Sequence, residues 1–340
     1  MKKRNWIIIG LLLATLGAIA VSSLLAGRYS APLSEQLKIL LQLPVPDLTP
    51  ERREILEYLV FTLRLPRIIA ALLVGFALAM AGSTFQSMFR NPLVSPELLG
   101  VMAGSALGVV AGVIFEVPAV VVQLLAFAFG LLAIVTTLLI AKLYRGGDKL
   151  LILVMAGIIC TAIFTSLGFL IAYSADPERM GVGLEYWLDG GLGLANRSNI
   201  LASLPLFLLG AAGMAVSAKA MNVMSFGEEE AAALGLNPIH WRILAIVSAT
   251  LVSAVSVTMA GMVAWIGLIA PHFGRLLTGP DTRTLLPVSG LIGASILLLA
   301  DSASRSLFSS TLPMSLTISV IGIPMFMILL YRSKFGGLHV

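Results

Sequence analysis

Apolar residues in this chain run in long stretches bounded by charged or proline-rich breaks, without the three-to-four-residue spacing of a soluble amphipathic helix. The first stretch extends from Trp6 to Ala26 behind Lys2, Lys3 and Arg4. It is longer than the ~7–15 apolar residues of a signal peptide, so a retained first span is expected. Further stretches fall at about 60–84, 98–115, 119–141, 150–173, 200–218, 243–262, 264–277, 285–304 and 313–331. A helix of ~20 apolar residues crosses a ~30 Å hydrocarbon core. The pattern therefore predicts an all-α integral membrane protein, with a single transmembrane domain over 1–340, ten spans and both ends on the same side. Pro271, His272 and Arg275 interrupt the eighth span, which is expected to be broken or tilted. In the external loop 27–59, Pro32, Pro44, Pro46 and Pro50 separate two short amphipathic pieces, Ser34 to Leu43 and Glu51 to Tyr58. Neither is long enough to cross, and both should lie at the outer surface.

Composition narrows the class. Of 340 residues, 58% are hydrophobic and 11% charged, which excludes a soluble two-domain protein and a disordered chain. Cys160 is the sole cysteine, so no intrachain disulfide can form. The net charge of +5 does not point to nucleic acid, because no basic cluster is longer than Lys2-Lys3-Arg4. Topology explains it better. Threading the ten spans puts Lys2, Lys3, Arg4, Arg90, Lys142, Arg145, Lys149, Lys219, Arg242, Arg275, Arg283, Arg332 and Lys334 on the side of the termini, thirteen of the 22 basic residues. The positive-inside rule makes that side the cytoplasm. Glu97 and the loop 219–242 fall there too.

Gly100, Gly104, Gly108 and Gly112 recur at every fourth position and predict a flat strip for close helix approach. Leu78-Ala79-Met80-Ala81-Gly82 near the end of span two is echoed by Val257-Thr258-Met259-Ala260-Gly261 near the end of span seven. Those spans run in opposite directions, so an inverted repeat of spans 2–5 and 7–10 is expected, with a pathway between the halves. Span middles carry no ionisable residue, and a proton-driven carrier would need one. His272 is the single candidate relay, and a hydrogen-bonded helix-end histidine beside Pro271 is the plainer reading. No GxxxxGK[ST] loop is present to hold a nucleotide, and neither HExxH nor GxSxG occurs. His240, His272 and His339 show no metal-ligand spacing. The chain is thus expected to bind no cofactor or metal and to be no enzyme. An ion-coupled secondary carrier and a passive channel remain as alternatives to an ATP-driven transporter powered by another subunit.

The loop after span six reads Ser225-Phe-Gly-Glu-Glu-Glu-Ala-Ala-Ala-Leu-Gly-Leu-Asn-Pro238. Ser225 and Glu228 fit an S-x-x-E capping box, and the three carboxylates suit the positive end of a helix dipole. Gly235 can end the helix and Pro238 bars its continuation. A short, rigid helix at the membrane face suits a partner's groove, though a solvated acidic connector would read similarly.

At these residues the chain resembles the permease subunits of type II ABC importers, the FecCD-type family that moves ferric siderophores, haem and cobalamin. The resemblance covers nearly the whole chain and rests on RLPRIIAALLVGFALAMAGSTFQ from Arg64, NPLVSPELLGVMAGSALG from Asn91, GEEEAAALGLNP from Gly227, and GMVAWIGLIAPHFGRLLTGPDTRTLLPVSGLIGASILLLAD from Gly261. It implies ten helices per copy and a second permease copy, identical or related. It also implies two cytoplasmic ATPase subunits that carry ATP and Mg, and an external binding protein that delivers cargo. The segment Ser225, Gly227, Glu228, Glu229, Ala231, Ala232, Leu234 and Gly235 would then be the coupling helix seated in the ATPase. Arg64, Arg67 and Arg305 would receive carboxylates of the binding protein, although arginines at span ends also snorkel to headgroups and Asp301 stands four residues before Arg305. Spans five and ten would line the conduit, offering Met155, Cys160, Thr161 and Phe164, then Ser315, Thr317 and Ser319; core packing explains the same residues equally well. Gly146-Gly147-Asp148 could belong to an inner gate or be a simple connector. Asp189 stands where relatives have a neutral residue. Ferric siderophore is the favoured cargo as the commonest, with haem, cobalamin and molybdate as alternatives.

Overall fold

The computed structural model describes residues 3–27, 29, 31–45, 48–144, 146, 148–174, 190–193, 195–307 and 312–335. Asp189 and Gly147 lie outside them. The described residues form only helices: α1 (Lys3–Ser23), α2 (Leu33–Leu40), α3 (Pro50–Glu57), α4 (Leu65–Met88), α5 (Val101–Ile114), α6 (Ala119–Leu143), α7 (Lys149–Tyr173), α8 (Arg197–Met224), α9 (Glu228–Ala233), α10 (Pro238–Ala260), α11 (Ile266–Thr278), α12 (Thr282–Leu307) and α13 (Met314–Phe335). Seven helical stretches are long and apolar enough to cross a membrane: α1, 50–89, α6, α7, α8, α10 and α12. α5 and α13 are shorter apolar helices, and with α11 they stand where the other three spans are expected. In α1 only Asn5 and Ser23 are buried, which puts it at the lipid-facing rim, whereas α4, α10 and α12 form the core.

The inverted repeat is visible in the helices themselves. Residue counts of 24, 14, 25 and 25 for α4 to α7 are matched by 23, 13, 26 and 22 for α10 to α13. Packing repeats as well: α4 lies on α12 as α10 lies on α6, and α11 lies on α4 as α5 lies on α10. The sequence echo that suggested the repeat is out of register, however. Gly82 sits inside α4, whereas Gly261 is the C-cap of α10.

The short second member of each repeat explains the broken eighth span and corrects a second expectation. At 1.5 Å per residue, α5 and α11 are only ~20 Å long. Their N-termini lie inside the bundle. The Thr137 hydroxyl, six residues or ~9 Å from the end of α6, donates to the Leu99 carbonyl at 2.9 Å. Gly157, eight residues into α7, leaves room for the Leu98 carbonyl, which a Cβ there would strike. From the opposite end of the bundle, Gly267 packs backbone to backbone against Gly82. The two re-entrant segments meet where the Trp265 N–H donates to Glu97 Oε2 at 3.2 Å. Glu97 is therefore half-buried between the repeats and not part of the cytoplasmic surface. Gly100 (φ 77°) and Trp265 (φ 68°) both enter their helices in the left-handed region, so the chain reverses at each N-terminus.

The glycine strip holds for three of its four members. Gly104 and Gly108 admit the α6 backbone at Phe129 and Leu125, and Gly112 admits mainly the Val122 side chain. Gly100 instead precedes α5 and faces Cys160 on α7. The two amphipathic pieces within 27–59 are also only partly as expected. α2 stands alone, but α3 runs through a π-helical turn, Tyr58–Arg64, directly into α4. Pro66 accounts for the wider turn: it has no N–H for the Thr62 carbonyl, and its ring crowds that carbonyl.

Candidate functional site

Two clusters of predicted site residues lie at opposite ends of the bundle. At one end, α8 stops at Ser225, whose hydroxyl donates back to the Asn222 carbonyl at 2.6 Å. Ser225 is thus spent on the preceding helix and forms no capping box with Glu228. The N-cap of α9 is Gly227 (φ 152°), and the Glu230 carboxylate folds over the space where its Cβ would be. The C-terminus is as expected. Gly235 (φ 80°) donates to the Ala232 carbonyl at 2.9 Å, and Leu236 donates to the Ala231 carbonyl at 3.0 Å. This pair is the Schellman arrangement that a left-handed glycine permits. Asn237 then caps α10 through the amides of Ile239 and His240, with Pro238 as the first helical residue.

Side chains on this segment divide sharply. Ala231 is fully buried and anchors α9, and Glu228 pairs with Arg242 on α10. Phe226 (79% exposed) and Leu234 (72%) project outward beside the exposed acids Glu229 and Glu230. These two large apolar side chains thus flank α9 at its two ends.

At the other end, Arg64, Arg67 and Arg305 converge, but inward. Arg64 is buried and donates to the carbonyls of Leu24 and Tyr29 (2.8 Å to the latter) and to Gln36 Oε1 at 2.6 Å. Asp301, fully buried, accepts from Arg67 Nε at 2.7 Å and from Arg305 Nε at 2.9 Å. Arg305 also donates to the Ala26 carbonyl at 2.6 Å and to the Ser23 hydroxyl at 2.8 Å. Arg64, Arg67 and Arg305 thus build a clasp that ties the end of α1 and the chain around α2 to α4 and α12. Sequence spacing exposed the Asp301–Arg305 pair; it carried no signal for Arg67, which reaches Asp301 across 234 positions.

The conduit residues divide as well. Cys160 and Phe164 are packed with Ala103, Leu107 and Ala133, and the Cys160 thiol faces the Ala133 carbonyl at 3.5 Å. Both fill a helix contact and line no passage, because they fall on the buried stripe of α7 at Leu153, Ala156, Gly157, Cys160, Phe164, Gly168 and Ala172. Thr317 is buried and bonded to the Pro313 carbonyl. Met155 is exposed, while Thr161, Ser315 and Ser319 are half-exposed. Asp148 caps α7 through the Leu150 amide at 2.8 Å, a connector's role. Among the described residues no group of three or more His, Cys, Asp or Glu is placed to hold a metal ion.

Residues 12–332 match the FecCD transport family. This chain belongs to that family. It is 35% identical over 325 residues to the molybdate import system permease protein MolB of Haemophilus influenzae, covering 94% of each chain. It is 34% identical over 319 residues to a probable iron chelatin transport system permease protein of Helicobacter pylori, covering 93% of this chain and 95% of that one. A solved chain described as an inward-facing conformation of a metal-chelate type ABC transporter superposes with a TM-score of 0.78 at 33% identity, covering 96% of this chain and 99% of that chain. This FecCD protein is accordingly the transmembrane permease subunit of an ABC importer, with ATP hydrolysis on a separate subunit.

Proposed function

We propose that this FecCD permease moves a ferric siderophore through the cytoplasmic membrane as one of two copies, its termini inside, served by two ATPase subunits and an external binding protein. The observation that carries the coupling part is the α9 segment: a short helix closed at its C-terminus by the Gly235 turn, anchored by Ala231 and flanked by the exposed Phe226 and Leu234. A nucleotide-driven motion of the ATPase would reach α8 and α10 through it, because Arg242 and the Schellman turn leave little slack.

The second copy is supported by α7. Its buried stripe faces α5 and α6, while Leu151, Met155, Ile158, Ile159, Ile163 and Leu167 stand exposed on the opposite side. Such a face suits lipid or another apolar helix, and cargo passing between copies would slide along neutral side chains. A chelate fits that lining, whereas a bare metal cation would require carboxylates or thiolates. The relatives include both a molybdate and an iron-chelate permease at nearly equal identity, so cargo is decided by experiment. The binding protein would dock at this end of the bundle through carboxylates that reach Arg67, which is only partly buried and bonds Asp301 through Nε alone.

The test is uptake into proteoliposomes holding permease, ATPase and binding protein, loaded separately with ferric siderophore, haem, cobalamin and molybdate. ATP-dependent uptake of the siderophore supports the reading, and uptake without nucleotide defeats it. Within the same assay Gly235→Val should leave the ATPase running without transport. A Cβ at Gly235 meets nothing within 4 Å, so the loss would come from the backbone: a β-branched residue resists φ 80°, costing ~1–2 kcal/mol and releasing the Schellman turn. Gly235→Asn, which tolerates that region, should keep coupling.

A further inference from the structure

Next to the coupling segment, the ends of α4, α8, α11 and α12 enclose a cleft of about 270 Å³. Its polar wall is made by Gln86, Ser87, Arg90, Asn91, Asn222 and Arg275. Two guanidinium groups therefore share one cleft whose described lining contains no carboxylate. Arg275 donates from Nη2 to Gln86 Oε1, but its Nε is buried with no partner among the described residues. Arg90, exposed at the mouth, spends one of its five N–H donors on the Met224 carbonyl at 2.7 Å. The nearest acid in the adjoining cleft, Asp281, is already held by Arg283 Nη2 at 2.9 Å and Asn222 Nδ2 at 2.6 Å.

Two guanidinium groups brought into one cleft without a carboxylate repel one another, and an anion held between their outer nitrogens would relieve that repulsion. Guanidinium forks flanked by amide and hydroxyl donors match the tetrahedral oxygens of a phosphate group, and they repel metal cations. We propose that this cleft binds a phosphate oxyanion at the root of the coupling segment. Two sources share that chemistry: inorganic phosphate released by the ATPase partner, and the headgroup of an anionic lipid of the inner leaflet. The location gives binding a consequence. Arg90 is tied to Met224, and Ser225 lines the same cleft three residues before Glu228, so an anion drawn to Arg90 and Arg275 fixes the base from which α9 projects. The proposal is independent of the cargo.

The experiment follows the unfolding of the full chain by the reactivity of Cys160, its only and buried thiol. In one arm, delipidated protein in detergent is titrated with inorganic phosphate against chloride at matched ionic strength. In the other, protein in nanodiscs of phosphatidylcholine alone is compared with protein in nanodiscs containing phosphatidylglycerol. Saturable stabilisation by phosphate identifies the free anion, and stabilisation by phosphatidylglycerol alone identifies the headgroup. Either result supports the site, provided Arg90→Gln weakens the response about tenfold, as loss of a charge-assisted bond implies, and Arg90→Glu abolishes it. Arg275 packs inside and its replacement endangers the fold, so the exposed Arg90 carries the test. No stabilisation in either arm, or equal stabilisation of wild type and Arg90→Gln, overturns the proposal.

Discussion

Replacing Asp301 by asparagine isolates the charge of the arginine clasp while keeping its shape. In the native fold one fully buried carboxylate serves both Arg67 and Arg305, with Arg64 close by in the same cluster. The amide retains an acceptor oxygen but leaves two guanidinium groups short of their common anion. Removing one partner from a buried ion pair costs ~3–5 kcal/mol, a large share of the ~5–15 kcal/mol that holds a typical fold. The exposed pair Arg53–Glu57, at the same i,i+4 spacing as Asp301–Arg305, provides the control, since such surface pairs contribute ~0.3–0.5 kcal/mol. Asp301→Asn should thus lower the midpoint of thermal unfolding, read by dye reaction at Cys160, several times more than Glu57→Gln. It should also make the chain around residues 24–36 more susceptible to protease, because Arg305 holds Ala26 and Ser23 there. Equal midpoints for the two variants would refute the claim that the clasp is a structural element.

Three further outcomes follow from named contacts. Gly108→Ala should destabilise by ~1–3 kcal/mol, because its Cβ meets the Leu125 backbone, whereas Gly112→Ala should cost less, since it meets mainly the Val122 side chain, which can turn; expression and unfolding midpoints report the order. The Arg283 guanidinium, hydrogen-bonded to Asp281, holds that carboxyl below the usual carboxylate range. Its small stabilising contribution is therefore complete above ~pH 4 and is lost as pH falls below that value; tryptophan-detected unfolding of Asp281→Asn should lack this step. Glu97→Gln preserves an acceptor for the Trp265 amide and should transport nearly as wild type, whereas Glu97→Ala leaves that N–H unpaired and should slow ATP-dependent uptake.

Much of the fold was legible because lipid imposes one requirement on each span, an apolar run of sufficient length, and that requirement is written in consecutive residues. The end of α9 was equally legible, since Gly235 is the residue a left-handed turn demands. Ser225 misled because the S-x-x-E spacing is satisfied on paper, while in space α8 continues to Met224 and takes the hydroxyl for its own last turn. The clasp was illegible for a related reason. Arg64 and Arg67 looked unpaired in sequence because their partners, Gln36, Leu24 and Asp301, are distant along the chain. Glu97 was assigned to the surface because a re-entrant segment has the composition of an ordinary loop; only its contacts with Trp265 and its neighbours' with α6 and α7 reveal the depth.

The backbone-to-backbone crossings have a mechanical corollary. Gly75 meets Gly293 where α4 crosses α12, and Gly82 meets Gly267 where α4 crosses α11, with no side chain interposed at either point. Surfaces in such direct register have no cushion to rearrange, so sliding one rod past the other would open voids that a close-packed interior resists. α4, α11 and α12 therefore travel as one stiff chassis. A motion of the bundle would find its give elsewhere, at α13, which rests on its neighbours through side-chain contacts such as Trp265 against Phe326.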